Sequence, residues 1–171
     1  MQQQGKVRWI GVSNFNVDLL KKCGTVAPVQ SLQPPYSIIQ RRYETHELPY
    51  CQHNGIGVVV YSPMQSGLLT GKFDPQRLAA DDWRKKSEQH TEPRLTKNLQ
   101  LVAKLKPLAA EYGKTVGQFA IAWTLMNPAV TAAIVGARNP LQVAENIGGA
   151  DWRIKPADME QVNSLIQEIM D

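Results

Sequence analysis

The chain has 171 residues, of which 43% are hydrophobic and 20% charged, and its formal net charge is +4. This length fits one domain with a buried core, and no apolar run approaches the ~18 residues of a membrane span or resembles a secretory signal. The basic residues are scattered without a long run or a base-stacking motif, which argues against a nucleic-acid partner. We therefore expect a cytoplasmic protein without membrane partners, in which Cys23 and Cys51 remain reduced thiols.

The hydrophobic pattern predicts four short strands that alternate with helices. The strands are predicted over residues 7–12, 29–33, 57–62 and 132–135. Helices are predicted over residues 17–23, 41–53, 95–112 and 157–170, with two more beginning at Thr115 and Pro140. The strand 57–62, GVVVYS, carries a continuous β-branched run, which indicates burial on both faces in a parallel sheet.

Local signals mark the ends of several helices. Asn16 can cap the first helix, and Gly24 can end it. Pro49 lies inside the second, where we expect a kink or a broken last turn. Thr115 and Gln118 have the spacing of a capping box. Between the third strand and the third helix, residues 63–93 form a long connection that we expect to be functional or mobile.

Alternating strands and helices imply a parallel α/β sheet built from βαβ units. Two architectures fit this order: an open doubly wound sheet, and part of a (β/α)8 barrel, which takes ~250 residues when complete. The chain supplies four βα units, which is half of the number that a barrel needs.

Polar or small residues follow each predicted strand. They are Ser13 and Asn14, then Gln33, then Tyr61 and Ser62, and finally Gly136, Ala137 and Arg138. In parallel α/β folds the ligand binds at the carboxyl ends of the strands. Ordinary caps and turns would explain any one of these clusters, but four clusters in succession favour a shared ligand site.

Residues after the fourth strand have the chemistry of a phosphate and nucleoside site. Arg138 precedes the helix that begins at Pro140, and helix N-terminal amides with a guanidinium suit a phosphate. Gln142, Glu145 and Asn146 share one helix face, where their amide and carboxylate groups could bind a ribose or a purine edge.

The earlier clusters complete the pattern of a dinucleotide site. The backbone amides of residues 62–71, SPMQSGLLTG, could hold a pyrophosphate. Tyr61 could stack on a flat aromatic ring, and Gln33 and Asn14 could bind a carboxamide. Together these groups describe a nicotinamide dinucleotide with a 2′-phosphate, and the absence of GxGxxG disfavours a Rossmann site.

Four segments, GVSNF, LQPPYS, VVVYSPMQSGLLTGK and IVGARNPLQVAENI, occur in this order. The ordered set resembles the C-terminal half of a bacterial aldo-keto reductase, over essentially the whole chain. The family fold is a (β/α)8 barrel, so the resemblance implies one partial barrel domain over residues 1–171, with the fifth to eighth strands. Family members reduce aldehydes and ketones to alcohols with NADPH and without a metal.

The resemblance also implies a role for each matching residue. At the nicotinamide it places Ser13, Asn14 and Gln33 on the carboxamide and Tyr61 on the ring. Along the pyrophosphate it places Ser62, Met64, Gln65, Ser66 and Leu68. Near the adenosine and its 2′-phosphate it places Gly136, Arg138, Gln142, Glu145 and Asn146. Some relatives have Lys-Ser in place of Gly136 and Ala137, so Arg138 is the main phosphate ligand, and NADPH is expected rather than NADH.

The family's catalytic Tyr, Lys, Asp and His belong to the other half of the barrel, and no segment here matches them. Tyr36 has no nearby Lys and is expected to be a packing or loop residue, and His46, His53 and His90 are expected at the surface. A small carbonyl substrate is therefore expected only for the complete enzyme. The alternative is a catalytically inactive nucleotide-binding or assembly half-barrel.

A half-barrel has two exposed strand edges, which are a liability for a soluble protein. The sequence therefore leaves three expectations: the missing N-terminal half binds these edges, two copies of the chain pair, or the chain is a truncated product. We expect the isolated chain to be marginally stable or dimeric.

Overall fold

A computed structural model describes residues 1–170, which fall into two compact units. The sheet unit comprises Met1–Pro63 and Thr124–Val135, and the helical unit comprises Met64–Trp123 and the chain from Gly136 onward. Each unit has its own buried core, with Leu32 and Val58 fully buried in the first, and Leu105 and Phe119 in the second.

The sheet unit contains one parallel sheet whose strands lie in the order β1-β2-β3-β4. The strands are β1 (Gly11–Ser13), β2 (Ser31–Gln33), β3 (Gly57–Tyr61) and β4 (Val130–Ile134). Gly11 pairs with Ser31 in the first ladder, and a bulge between Val58 and Val59 shifts the register of the last. The predicted α/β class with a parallel sheet is confirmed.

The strand predictions differ from the structure in several respects, and β4 begins at Val130 rather than at residue 132. The first two strands are shorter than predicted, because Ile10 and Gln30 contact each other outside the ladder. The Gln30 N–H donates to the Ile10 carbonyl, and the Gln30 side-chain oxygen accepts the Ile10 N–H, both at 2.8 Å. Burial along β3 alternates, with Val58 and Val60 buried and Val59 half-buried. Successive side chains point to opposite faces of the sheet, so only one face of β3 is fully buried. The prediction that both faces of this strand are buried is therefore wrong.

Two helices connect the strands of the sheet unit, α1 (Val17–Gly24) and α2 (Glu47–His53). The predicted cap of α1 is confirmed, because the Asn16 side chain accepts the Leu19 N–H at 2.9 Å. The prediction of one helix over residues 41–53 is wrong: Arg42–Glu44 is a 3-10 turn, and α2 begins only at Glu47. Pro49 therefore lies in the first turn of α2, where its missing N–H removes no helical hydrogen bond and no kink is needed.

The helical unit is built from α3 (Arg94–Glu111), most of α4 (Val116–Leu125), α5 (Pro140–Ile147) and α6 (Pro156–Met170). The capping box of α4 is confirmed: Gln118 N–H donates to the Thr115 hydroxyl at 3.2 Å, and Thr115 N–H donates to the Gln118 side chain at 3.0 Å. The Gln118 side chain also donates to the Glu145 carbonyl at 2.8 Å, so one glutamine joins the start of α4 to α5.

The connection at residues 63–93 contains a series of 3-10 turns. They are Gln65–Thr70, Pro75–Arg77, Trp83–Lys86 and Glu88–His90. His90 was predicted at the surface, but it is only 4% exposed, because the rings of Phe73 and Trp83 pack against it at 5.3 and 5.9 Å between centroids. This burial, and the charge of Arg84, lower the pKa of His90.

The cysteine predictions and two of the histidine predictions agree with the structure. Cys23 and Cys51 are free thiols. His46 and His53 are exposed, as predicted. Among residues 1–170, none of the helices has the length and apolar character that a membrane crossing requires.

Candidate functional site

The sheet unit brings Ser13, Asn14, Gln33 and Tyr61 together at the carboxyl ends of its strands. The Ser13 hydroxyl and the Asn14 N–H both donate to the Gln33 carbonyl, at 2.9 and 3.2 Å. The Tyr61 hydroxyl donates to the Asn14 side-chain oxygen at 3.0 Å. Ser13, Asn14 and Gln33 are exposed and Tyr61 is half-buried, so a ligand can reach all four side chains.

The backbone at these strand ends is strained. Asn14 has φ +60° and Ser62 has φ +58°. Non-glycine residues in this region cost about 1–3 kcal/mol each and persist where the surrounding structure holds them, often at ligand sites. The sequence carries a weak signal for Asn14, since Asn adopts this conformation more readily than most residues, and none for Ser62.

Tyr36 lies in the core of the sheet unit and is 2% exposed. Its hydroxyl donates to the Glu44 carboxylate at 2.5 Å and accepts from the Asn127 side chain at 3.3 Å. Arg41 pairs with the same carboxylate at 2.8 Å. Burial, and then the Glu44 carboxylate, raise the pKa of Tyr36 well above its ordinary value. Tyr36 is therefore a packing residue, as the sequence indicates, and not an accessible proton donor.

In the helical unit, Met64, Gln65, Ser66 and Leu68 lie in and beside the turn Gln65–Thr70. The consecutive residues Gln65, Ser66 and Gly67 have φ of +45°, +52° and +97°. The N–H groups of Gly67 and Leu69 both donate to the Met64 carbonyl at 3.1 Å. The Leu68 side chain is fully buried, so only its backbone can face a ligand.

The N-terminus of α5 carries the remaining predicted residues. Asn139 caps the helix by accepting the Gln142 N–H at 2.9 Å, and the Gln142 side-chain oxygen accepts the Arg138 N–H at 2.7 Å. The amide nitrogen of Gln142 is therefore the group that can donate to a ligand. The Arg138 side chain is exposed beside this helix end, and the Asn146 side chain donates to the Gly136 carbonyl at 3.2 Å.

Glu145 forms a salt bridge that sequence reasoning missed. Its carboxylate accepts from the Lys72 ammonium at 3.0 Å, which joins α5 to the residue that follows Gly71. The two residues are far apart in sequence, and no local pattern connects them. The predicted site residues thus form one group in the sheet unit and another in the helical unit.

The comparison with known proteins decides the family. The model of the aldo/keto reductase family matches residues 1–167. The chain belongs to the aldo/keto reductase family. It is 34% identical over 165 residues to the aldo-keto reductase YhdN of Bacillus subtilis (strain 168), covering 95% of this chain and 50% of that protein. It is 30% identical over 169 residues to an NADH-specific methylglyoxal reductase of Escherichia coli (strain K12), covering 99% of this chain and 52% of that protein.

A solved structure agrees with these relatives. The glycerol dehydrogenase AKR11B4 of Gluconobacter oxydans matches 98% of this aldo/keto reductase chain with a TM-score of 0.92 and 31% identity. The match covers 51% of that chain. This chain therefore spans about half the length of the relatives that it matches, and its fold is that of half a barrel enzyme of this family.

The group of predicted site residues in each unit offers contacts to an organic ligand rather than to a metal ion. Within the described part of the chain, no group of three or more His, Cys, Asp or Glu is placed to hold a metal ion. The sheet unit presents amides, a hydroxyl and a phenol ring, which suit a neutral aromatic carboxamide. The helical unit presents an exposed arginine at a capped helix end, which suits a phosphate.

Proposed function

We propose that the complete protein is an NADPH-dependent aldo-keto reductase that reduces aldehydes or ketones to alcohols, and that this chain carries its cofactor-binding half. The observation that supports this most is the contact between Tyr61 and Asn14, because it places an aromatic ring beside a carboxamide at the ends of parallel strands. We also propose that both units belong to one partial barrel domain in a cytoplasmic enzyme.

In this proposal the sheet unit binds the nicotinamide. Ser13, Asn14 and Gln33 hydrogen-bond the carboxamide, and the ring of Tyr61 stacks on the pyridine face. These contacts orient one face of the ring toward the substrate. When bound, the nicotinamide supplies the hydride that reduces a carbonyl carbon.

The helical unit binds the rest of the cofactor. The pyrophosphate lies along Met64, Gln65, Ser66 and Leu68, where the left-handed turn can direct backbone N–H groups toward an anion. The proposal adds Ser62, which belongs to the sheet unit, to these contacts. The adenosine lies along α5, beside Gly136, Arg138, Gln142, Glu145 and Asn146. Because one relative is NADH-specific by name, the preference for NADPH in this proposal rests on the Arg138 guanidinium and a 2′-phosphate.

The proton donor and its Lys, Asp and His partners belong, in this proposal, to the other half of the barrel. That half, or a second copy of this chain, contacts the outer edges of β1 and β4, which pair only on their inner sides among the described residues. The buried Tyr36 supports this division, because its hydroxyl faces Glu44 rather than solvent. The same observation favours the alternative of a nucleotide-binding or assembly module without catalysis.

A fluorescence titration with NADPH and NADH tests the cofactor assignment. We expect Arg138→Ala to raise the Kd for NADPH about tenfold or more, because a hydrogen bond to a charged group contributes about 1.5–3 kcal/mol. The Kd for NADH should stay unchanged. Arg153→Ala is the matched control, since Arg153 is also an exposed arginine of the helical unit. An NADPH Kd equal in Arg138→Ala and the unmodified chain would contradict the proposal.

A steady-state assay separates the enzyme from the binding module. NADPH oxidation is followed with a reactive aldehyde, using the chain alone and the chain mixed with a family N-terminal half-barrel. The proposal expects turnover only in the mixture. Turnover by the chain alone would reveal a proton donor within it, and NADPH binding without turnover in either sample would favour the non-catalytic module.

A further inference from the structure

His90 lies at the end of the last 3-10 turn before α3, and it is 4% exposed. The rings of Phe73 and Trp83 pack against its imidazole from two earlier segments of the connection 63–93. The Nδ1 atom of the ring lies 3.1 Å from the Ser87 hydroxyl oxygen. One buried imidazole therefore holds three segments of this connection together.

The turn that carries His90 is also anchored to α3. The fully buried Asn98 side chain of that helix donates to the Gln89 carbonyl at 2.8 Å and to the Gln89 side-chain oxygen at 3.2 Å. The His90 N–H closes the turn by donating to the Ser87 carbonyl at 2.9 Å. Of the groups that make these contacts, only the imidazole changes its charge between about pH 5 and 8.

The surroundings of His90 disfavour an imidazolium ion. Burial, and then the charge of Arg84, lower the pKa of His90. Asp82 and the Gln65 backbone act in the opposite direction. The Asp82 carboxylate is already engaged, however, because it accepts from the Arg84 guanidinium at 2.7 Å. A proton on the ring therefore brings a second positive charge into a largely aromatic pocket that already has an ion pair.

The other carboxylates along this part of the chain are exposed or paired. Glu88 and Glu92 are exposed, and Asp74, which follows the packed phenylalanine, has an arginine partner at 3.3 Å. In α3, the charged residue nearest in sequence to the turn is Arg94, whose Nε atom is buried. It adds positive rather than negative charge, so it does not compensate a proton on His90.

We propose that His90 is a pH-sensitive latch, which keeps the connection 63–93 docked on α3 while its imidazole is neutral and releases the connection when the ring is protonated. In the open form the ring is solvated and its pKa returns to the ordinary value of 6.5. The closed form is therefore fully favoured above about pH 6.5 and loses this advantage as the pH falls toward the lower pKa of the closed form. The latch needs no bound ligand, and its failure would leave the proposed function untouched.

Hydrogen exchange of the unliganded chain tests the latch. The informative amides are those of Lys85, Ser87 and His90, which donate within the 3-10 turns at 2.9–3.1 Å. Their protection factors, corrected for the intrinsic effect of pH on exchange, are compared at about pH 7.5 and about pH 5.5. We expect protection to fall by up to about tenfold at the lower pH, because each opening then takes up one proton.

Urea at low concentration distinguishes a local opening from global unfolding. Exchange through a local opening responds little to urea, whereas exchange through global unfolding accelerates. We therefore expect the amides of the 3-10 turns to be less protected than those of α4 and less sensitive to urea. Equal protection and equal urea sensitivity in the turns and in α4 would overturn the latch.

Two variants assign the effect to one side chain. His90→Phe keeps an aromatic ring in the pocket but cannot take up a proton, so the protection of the turns should no longer depend on pH. His53→Gln is the matched control, because His53 is an exposed histidine of α2, and it should behave like the unmodified chain. The same loss of protection at about pH 5.5 in His90→Phe as in the unmodified chain would overturn the latch.

A titration of the unmodified chain keeps the test available if His90→Phe does not fold. Nuclear magnetic resonance follows the imidazole of His90 between about pH 7.5 and 5. We expect the ring to titrate below its ordinary pKa of 6.5, and the turn amides to lose protection over the same range of pH. A ring that titrates at or above 6.5 would overturn the latch, whatever the cofactor titrations show.

Discussion

The Tyr61 hydroxyl donates a hydrogen bond to the Asn14 side chain at 3.0 Å, and so joins the ends of two strands that are not neighbours in the sheet. Asn14 has φ +60°, and its N–H is bonded to the Gln33 carbonyl. The orientation of its side-chain amide is therefore set by contacts with both of the following strands. A ligand at this edge would meet a carboxamide and a phenol ring that are already positioned.

Tyr61→Phe should weaken NADPH binding about fivefold, because a hydrogen bond of this kind contributes about 1 kcal/mol while the stacking ring is kept. The Kd for ADP, which lacks the nicotinamide, should not change. Fluorescence and calorimetric titrations measure the two constants. Tyr50→Phe in α2 is the control. A parallel loss of ADP affinity would mean that Tyr61 acts on overall folding rather than on the nicotinamide end.

Tyr36→Phe should lower the free energy of unfolding by about 1–2 kcal/mol, because it removes one hydrogen bond from the Glu44 carboxylate. Urea denaturation measures this loss. In a reconstituted barrel the same substitution should leave kcat within about twofold, since the hydroxyl is buried. Abolished turnover with unchanged stability would instead identify Tyr36 as the proton donor.

Asn139→Ala should destabilise the chain by about 0.5–2 kcal/mol, since it removes the N-cap of α5. It should also weaken the binding of adenosine 2′-monophosphate, because α5 begins beside Arg138. Asn16→Ala removes the equivalent cap of α1 and provides the comparison. We expect a similar loss of stability from both variants, and weaker binding only from Asn139→Ala. If Asn139→Ala and Asn16→Ala bound adenosine 2′-monophosphate equally well, the N-terminus of α5 would not be part of the phosphate site.

We expect the folded chain to lose stability in mild acid, because His90 is buried and its pKa is lowered. Burial lowers its pKa in the folded state below the ordinary value of 6.5, so the unfolded state takes up a proton more readily. The stability that depends on neutral His90 is fully present above about pH 6.5 and is lost as the pH falls through the lower pKa of the folded state. Urea denaturation between about pH 7.5 and 5.5 should show this loss in the unmodified chain and in His53→Gln, but less of it in His90→Phe. An identical pH dependence in all three would contradict the assignment.

The outer edges of β1 and β4 should make the isolated chain associate or unfold over a broad range of temperature. Light scattering measures its mass, and a thermal melt measures the sharpness of its transition. Addition of a family N-terminal half-barrel should sharpen the transition, because it supplies neighbouring strands. A monomeric chain with a sharp transition would show that these edges need no partner.

Features that depend on residues close in sequence were predicted well. The cap at Asn16 and the box of Thr115 with Gln118 each need a donor and an acceptor three residues apart, so a short pattern contains the whole interaction. The apolar run of β3 likewise identified a buried parallel strand, although not its alternating burial. The family motifs are also continuous segments, which is why they could be recognised.

Features that depend on distant residues could not be predicted. His90 is buried by Phe73 and Trp83, which approach it only once the 3-10 turns of the connection have formed. Similarly, the hydrogen bond from the Arg84 side chain to the Ser66 carbonyl requires a positive φ at Ser66. Serine rarely adopts this conformation, and no sequence pattern predicts it. Residues 29 and 30 have the composition of a strand, but Gln30 bonds outside the ladder.

The Gln118 side chain that joins α4 to α5 leaves almost no space beside the last turn of α5. A Cβ atom at Gly148 would lie 2.3 Å from the Gln118 amide nitrogen, and one at Gly149 would lie 2.7 Å from the Ile121 Cβ. Engineers who randomise α5 to change cofactor preference can therefore vary its exposed face, including Leu141, but should keep both glycines. A side chain at Gly148 would displace the Gln118 amide from the Glu145 carbonyl, and a side chain at Gly149 would press on the Cβ of Ile121, so varying either position would disturb the contact between α4 and α5.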